Sequence, residues 1–314
     1  MPIEDIIQAT KDSLALPFTY LFNPSKRINY LYLLSSIGLA LFIYLRTKQK
    51  GSFLNYVFNK KVWLSKSAWV DYQTIFFNAF VKLFLIAPFL LLANDFSYFI
   101  EEKIIHFRGY NMNGLSQTET IIYYTLTLTI LNDFLSYVVH LLFHKIPFLW
   151  EFHKTHHSAT SLNPITQYRL HPVELIINNL KYLFVYGVVT GLFEYLSGGV
   201  VSRYLFYGAN ILSFSFLIWG GNLRHSHVKL TYFNPLEYIF ISPFQHQIHH
   251  SDAAEHYDKN FGSKLALWDW LFGTLVRSKN AKKINFGLGE ENKNYRTFFE
   301  NMVRPFKNIF SKKK

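Results

Sequence analysis

The chain contains thirteen histidines, and most of them fall into three short runs. His140 and His144 stand four apart in "HLLFH". His153, His156 and His157 form "HKTHH", and His246, His249 and His250 repeat that spacing in "HQIHH". On a helix, residues three and four apart share a face, with Cβ atoms roughly 5–6 Å apart. Each run is therefore expected to aim its two or three imidazoles into one pocket, as a metal ion requires. A lone HxxxH is equally a pair of polar residues at a membrane interface. Two HxxHH copies together with an HxxxH read as a ligand set.

Eight imidazoles exceed the four ligands of a closed zinc site, so the count fits two ions better than one. Imidazole suits zinc, copper, iron and nickel alike. Neutral nitrogen ligands leave such ions electron-poor, which suits the generation of a strong oxidant from O2. The chain has no cysteine, which excludes disulfides, thiolate ligands and thiol nucleophiles. It has no H-E-x-x-H, so a zinc-protease reading lacks its general base. The histidines are read as metal ligands and not as bases, and no catalytic residue is expected beyond them.

Carboxylates flank the runs: Asp133, Glu151, Glu174, Asp252, Glu255 and Asp258. Asp133 precedes His140 by seven residues on the same helical face. It is expected to orient His140 through the ring nitrogen that faces away from the metal. The acids after the last run either offset local positive charge or face solvent. Arg169, His171, Pro172 and Glu174 frame a helix start, with Pro172 at its first position. His171 and Glu174 are candidates for a further ligand or for a hydrogen bond behind one. His256 is a weaker candidate of the same kind, and His106 stands apart from the runs.

Five apolar stretches must position these residues: 28–45, 75–93, 121–143, 175–193 and 204–220. Each approaches the ~20 residues that cross a bilayer as a helix. Lys82 interrupts the second, Asp133 the third, and Asn178, Asn179 and Lys181 the fourth. Buried helices of a soluble protein are the competing reading, but several such stretches in one chain favour a membrane. A composition that is 50% apolar and 19% aromatic, with a mean hydropathy of only +0.09, fits a membrane protein with a large polar part.

Residues 46–74 carry Arg46, Lys48, Lys50, Lys60, Lys61 and Lys66. Residues 94–120 carry Asp95, Glu101, Glu102 and Glu119 against Lys103 and Arg108. The positive-inside rule puts the first loop in the cytoplasm and the second outside. Continued alternation brings all three histidine runs to the cytoplasmic side. Pro147 and Trp150 mark the point where the chain leaves the membrane after the first run. The net charge of +12, combined with apolar blocks, points to an anionic membrane face. No nucleic-acid motif is present, so no nucleic-acid partner is expected. The first residues do not read as a cleaved signal peptide.

The expected fold is an all-α integral membrane protein. It is a helical bundle of about four to five membrane segments with a cytoplasmic, histidine-rich helical cap. Residues 1–120 would form an N-terminal membrane part, 121–275 the domain with the two-metal site, and 276–314 a basic cytoplasmic tail.

The three runs, in this order between hydrophobic hairpins, resemble the histidine boxes of the fatty acid hydroxylase superfamily, also called the sterol desaturase family. "NDFLSYVVHLLFH", with Asp133 and Tyr137, looks like that family's approach to its first box. "WEFHKTHHS" and "ISPFQHQIHHS" are similar to its second and last boxes, and "KNFG" and "WDWLFGT" to its closing segment. The resemblance covers roughly 121–274. It implies a membrane oxygenase with two iron ions that uses O2 to hydroxylate or desaturate a C–H bond of a fatty acyl, alkyl or sterol-like lipid.

The resemblance also implies a further histidine ligand between the second and third boxes. His225 in "GNLRHSH" is the better match, and His227 is the alternative. On a helix these two face apart by about 200°, so one ion does not take both. The implied ligands are His140, His144, His153, His156, His157, His225, His246, His249 and His250. Leu141 stands where many members carry Arg, which removes a basic residue there but no ligand. No haem-binding cytochrome signature is present. Electrons are therefore expected from a separate ferredoxin-like or cytochrome b5-like protein. The competing class is a membrane metal-binding or metal-transport protein. A transporter would place its site near the midplane between inverted repeats, whereas these runs share one face and no inverted repeat is visible.

Overall fold

The computed structural model describes residues 3–199, 205–206, 209–281 and 284–311. The chain opens with α1 (Ile3–Thr19), α2 (Tyr30–Arg46) and the short α3 (Phe53–Val57) and α4 (Lys60–Trp63). Next, α5 (Lys66–Val81) passes through a π-helical turn, Lys82–Ile86, into α6 (Ala87–Arg108). After that come α7 (Gln117–Lys145), α8 (Pro147–His157), α9 (Pro172–Ser197), α10 (Ile211–Ile218), α11 (Pro243–His249), α12 (Leu267–Leu271) and α13 (Phe298–Ser311). The strands described are one two-residue antiparallel pair, Leu205–Phe206 with Ala209–Asn210.

Three helical stretches are long and apolar enough to cross a membrane: 66–108, α7 and α9. Their most apolar windows bury only 22–33% of their residues inside the protein. Rows of exposed large side chains such as Phe89, Leu92, Ile122, Ile130 and Phe184 are what lipid-facing helices present.

Four of the five expected apolar stretches fall in α2, α5–α6, α7 and α9. Two details differ from expectation. Residues 94–108 are not a loop: the helix runs on for 43 residues, about 65 Å at 1.5 Å per residue. The chain turns only at Gly109, whose φ of 76° ends the helix. The fifth stretch begins outside the described residues, and its described part holds the short strand pair and, as its helix, the eight-residue α10. Asn210 caps that helix at one end and Gly220, with φ 97°, turns the chain soon after the other. This element is too short to span a bilayer alone.

Local chemistry sets the ends of the long helices. Ser116 and Glu119 form a capping box at the start of α7. Pro172 opens α9, and Gly198, in the left-handed region, closes it. Along their length α6 and α9 pack closely because of two glycines one turn apart. A Cβ at Gly187 would come 2.2 Å from the Phe96 ring, and one at Gly191 would come 2.3 Å from the Ser97 carbonyl. This is the small-residue packing expected between helices in lipid. The opposite side of α9 meets α7 through Tyr124, Leu128, Val185, Val189 and Phe193.

At the other end of the bundle, α8, α11 and the connecting loops form a cap. A buried ion pair fastens this cap to α5. Arg169, 1% exposed, pairs with Asp71, fully buried, at 3.2 Å. Arg169 also donates to the Thr155 and Ser67 carbonyls and to Ser158 Oγ. Asn163 and Thr166 donate to the other Asp71 oxygen. From the C-terminal side, α13 packs on α8. Thr155 Oγ1 donates to the Asn301 carbonyl at 3.0 Å, and Lys154 bridges Glu151 and Glu291.

Candidate metal centre

The last two turns of α7 carry His140 and His144. Ile146 is extended, and Pro147 then starts α8 after a break of a single residue. That sharp reversal brings His153, His156 and His157 back over the end of α7. A capping box of Ser242 and Gln245 starts the seven-residue α11, which supplies His246 and His249, with His250 as its C-cap. The positive-φ Gly220 opens a 3-10 turn, Gly221–His225, that ends on His225.

All nine expected ligands come together, in two groups. His140, His144, His153, His157 and His249 form one, and His156, His225, His246 and His250 the other. Within each group, one ring nitrogen per histidine lies within 4.8 Å of all the others. The expectation that each run fills one pocket is corrected, because both HxxHH runs are split. His153 and His157, four apart, stay together, while His156 turns to the second group. His246 and His250 stay together, while His249 turns to the first. Adjacent residues on a helix differ by 100°, so each HxxHH run supplies both groups, while His140 and His144 both stay in the first.

Backbone and carboxylate oxygens fix the rings from behind. The Nδ1 atoms of His140, His249 and His156 lie 2.9, 2.7 and 3.3 Å from the carbonyls of Phe261, Lys259 and Arg169. His153 Nδ1 lies 3.0 Å from Glu174 Oε1, and His144 Nδ1 lies 3.6 Å from Asp258 Oδ1. A proton on Nδ1 leaves the lone pair on Nε2, facing inward. In the first group, the Nε2 atoms of all five histidines are buried without a hydrogen-bond partner. In the second, His225 Nε2 sits 3.2–3.4 Å from the Nε2 atoms of His156, His246 and His250.

Lone pairs gathered this closely repel one another unless a cation stands among them. Buried groups of this kind are rarely left unpaired. The donor set therefore fits two metal ions. Burial, foremost, lowers the His153 and His156 pKa to about 3, and it lowers His157, His225, His246, His249 and His250 well below the usual 6.5. The rings are thus held neutral, which is the form that ligates metal.

The remaining candidates divide. Glu174 backs His153, as described. Asp133 does not touch His140. It accepts from the backbone N–H groups of Lys264 and Leu265 and from Trp268 Nε1, at 2.9–3.1 Å. It thereby holds the loop whose Phe261 carbonyl receives His140 Nδ1. The α7 helix carries both residues, but the loop takes the carboxylate because it offers three N–H donors.

His171 lies outside both groups. Its Nδ1 caps α9 by accepting from Val173 N, and its Nε2 faces the Met302 carbonyl. His227 turns away to the Tyr56 carbonyl at 2.7 Å. His256 is buried but joins neither group. Trp150 packs against His144, with ring centroids 4.8 Å apart.

Two positioning residues were not legible as such. Asp269, within "WDWLFGT", accepts from Phe261 N, Gly262 N and Thr274 Oγ1, gripping the same loop as Asp133. Arg169 was visible only as a neighbour of His171, yet its carbonyl holds His156. A buried arginine demands a carboxylate, but nothing in the sequence pairs it with Asp71, 98 residues away.

Two cavities reach the histidines. One of about 440 Å³ lies between α5, α7 and α9 and touches His140, His153, His156, His225 and His246. Another of about 320 Å³ reaches His144, His157 and His249 beside Trp150 and Asp258.

A bundle of apolar, membrane-length helices capped by nine inward-facing histidines has the arrangement of a histidine-box membrane protein that could hold metal. Residues 125–274, which contain all nine, match the family model described as fatty acid hydroxylase. That segment, just under half of the chain, is similar to the fatty acid hydroxylase superfamily. It is 28% identical over 177 residues to the ornithine lipid hydroxylase OlsE of Rhizobium tropici, covering 56% of this chain and 48% of that protein. It is 28% identical over 156 residues to the alkylglycerol monooxygenase of Homo sapiens, covering 50% and 31%. Against the alkylglycerol monooxygenase of Caenorhabditis elegans it is 27% identical over 157 residues, covering 50% and 28%. The chain thus spans less than half the length of these relatives. No solved structure is significantly similar to it.

Proposed function

We propose that the chain is a membrane-bound di-iron oxygenase that uses O2 to hydroxylate a C–H bond of a lipid. The observation that carries this reading is the two-group array of buried neutral imidazoles, with five Nε2 atoms that have no partner within the protein. The relatives named as a lipid hydroxylase and as monooxygenases support hydroxylation over desaturation. Zinc alone would supply no redox chemistry.

Bound iron would supply the activation of O2 at this site. The protein's own residues do the rest. The Phe261, Lys259 and Arg169 carbonyls and Glu174 stand behind His140, His249, His156 and His153, which favours the proton on Nδ1 and turns the Nε2 lone pairs of those four rings toward the metals. Burial keeps bulk water from the reacting carbon. The larger cavity, opening between membrane-length helices, admits a lipid from the bilayer. Hydroxylation consumes one O2, two electrons and two protons, and releases one water with the alcohol. The buried imidazoles are metal-bound and do not supply those protons. We place the cap on the cytoplasmic side, with the basic residues of 46–66, where a separate ferredoxin-like or cytochrome b5-like donor would deliver the electrons.

The reading is tested by comparing lipid extracts of cells with and without the chain. A mass gain of one oxygen supports hydroxylation, and loss of two hydrogens would mean desaturation. An unchanged lipid profile would count against oxygenase activity. Transport of metal into liposomes by the purified protein would favour the competing class.

A further inference from the structure

The cavity beside the histidines is lined by six cations without an ion-pair partner among the described residues, and the nearby Asp133 carboxylate offsets only part of their charge. Lys26 and Arg27 line it from the α1–α2 connection, and Lys82 from the π-helical turn. Lys181 of α9, Arg224 beside His225, and Lys264 complete a set of six. Among the described residues, none of the six forms a salt bridge. The nearby acids are already engaged: Glu174 faces His153, and Asp133 accepts from the 264–268 loop.

Several of these cations have poor substitutes for a counter-ion. Arg224 is 3% exposed, donates to the Ser263 carbonyl, and leaves its buried Nε without a partner. Lys82 donates to Tyr20 OH and Lys181 to Ser136 Oγ, both neutral oxygens. Burial, with Arg27 as a like-charged neighbour, lowers Arg224 to about 9. Arg27 and Lys264 are lowered as well, again chiefly by burial.

Unpaired charge at the end of a membrane bundle is costly and marks a binding site. Arginine and lysine together recognise phosphate, by forked hydrogen bonds and point charge. The same cavity has apolar walls at Ile75, Phe143 and Leu175, on the three helices that face the bilayer. A volume of about 440 Å³ is small-molecule sized. It suits a headgroup and its first carbons, with the remaining chain outside in lipid.

We propose that this cavity selects lipids bearing an anionic phosphate headgroup, gripped by Arg27, Lys82, Lys181, Arg224 and Lys264. Because cations and histidines share one cavity, the carbon presented for oxidation lies near the headgroup and not at the far end of the chain. The identification of the ligand as an oxidisable lipid rests on the oxygenase reading; the cation cluster does not.

The test uses the full chain in a neutral detergent, with and without iron. Dioleoyl phosphatidic acid, dioleoylglycerol and inorganic phosphate are titrated separately, and binding is followed by native mass spectrometry and thermal shift. Phosphatidic acid is expected to bind at least about tenfold more tightly than dioleoylglycerol. Lys181→Gln with Lys264→Gln should remove most of that preference, Lys181→Arg should keep it, and exposed Lys103→Gln should leave it unchanged. Equal binding of the two lipids by the wild-type chain overturns the proposal, whatever the variants do. So does an undiminished preference in the folded double variant. Inorganic phosphate binding as tightly as the lipid would assign the cations to a free anion instead. A chain that prefers phosphatidic acid but holds no iron would sink the oxygenase reading alone. A chain that oxidises lipids without headgroup preference would sink this inference alone.

Discussion

His156 and His157 are adjacent in the chain, yet their imidazoles enter different histidine groups. The two groups are also unequal, five rings against four. The four-ring group has no spare ligand. His250→Ala, which leaves it three, should release that metal and lower bound iron to about one per chain. His157→Ala leaves four rings in its group and should weaken binding without emptying the site. Metal analysis of both variants after dialysis against a mild chelator checks the asymmetry. Equal loss from both would mean that the groups are not independent sites.

Glu174 stands behind His153 at 3.0 Å. Glu174→Gln keeps the shape but replaces the carboxyl acceptor with an amide. Loss of such a partner typically costs about 10–100-fold in metal affinity or activity. Competition with a chelator of known affinity should show iron affinity lowered by that order, with the melting temperature of the metal-free protein nearly unchanged. A large drop in that melting temperature with normal iron affinity would make the carboxylate structural.

The Asp71–Arg169 pair should behave as a buried, fully satisfied ion pair. Asp71→Ala or Arg169→Ala leaves one charge without its partner and should cost about 3–5 kcal/mol of stability. The double variant should be less damaged than the sum of the two. The Arg169 carbonyl that faces His156 survives the substitution, but loss of the guanidinium's anchors to Thr155, Ser67 and Ser158 frees that segment, so Arg169→Ala should also weaken metal binding, while a thermal-unfolding double-mutant cycle isolates the pair itself. Additive effects would mean that the two charges act separately.

His171 gives a pH prediction with a definite sign. Its Nδ1 accepts from Val173 N, which requires a neutral ring, and burial lowers its pKa from 6.5 to about 4. Above about pH 6.5 the ring is neutral in both the folded and the unfolded chain. Between 6.5 and 4 the unfolded chain takes up a proton that the folded chain refuses, so stability falls as pH falls. The slope reaches about 1.4 kcal/mol per pH unit for this group. His171→Asn, which preserves a capping side chain, should lose less stability than the wild type between pH 7 and pH 5. An identical loss would remove His171 as a contributor.

The histidines that gather into the two groups were readable where three- and four-residue spacing survives any tertiary arrangement of a helix, and His225 only through the family resemblance. Their division into two groups was not, since it depends on how α8 and α11 face each other and the end of α7. Three of the candidates that stay outside the two groups have one feature in common. Asp133, His171 and His227 each found a backbone partner supplied by a distant segment: the 264–265 amides, the Met302 carbonyl and the Tyr56 carbonyl. Backbone groups leave no mark in residue types. The length of α5–α6 escaped for a different reason. Asp95, Glu101 and Glu102 looked like a loop by charge, although Glu is a good helix former and acids are accommodated where one side of the helix is wet.

Lipid analysis under isotopically heavy O2 tests the central claim most directly. Cells carrying the intact chain should yield a lipid that gains one heavy oxygen atom. The label should vanish when His157 and His250 are both replaced by Ala, one from each histidine group. Label that persists in that variant, or an intact chain that leaves every lipid unlabelled, would contradict the account.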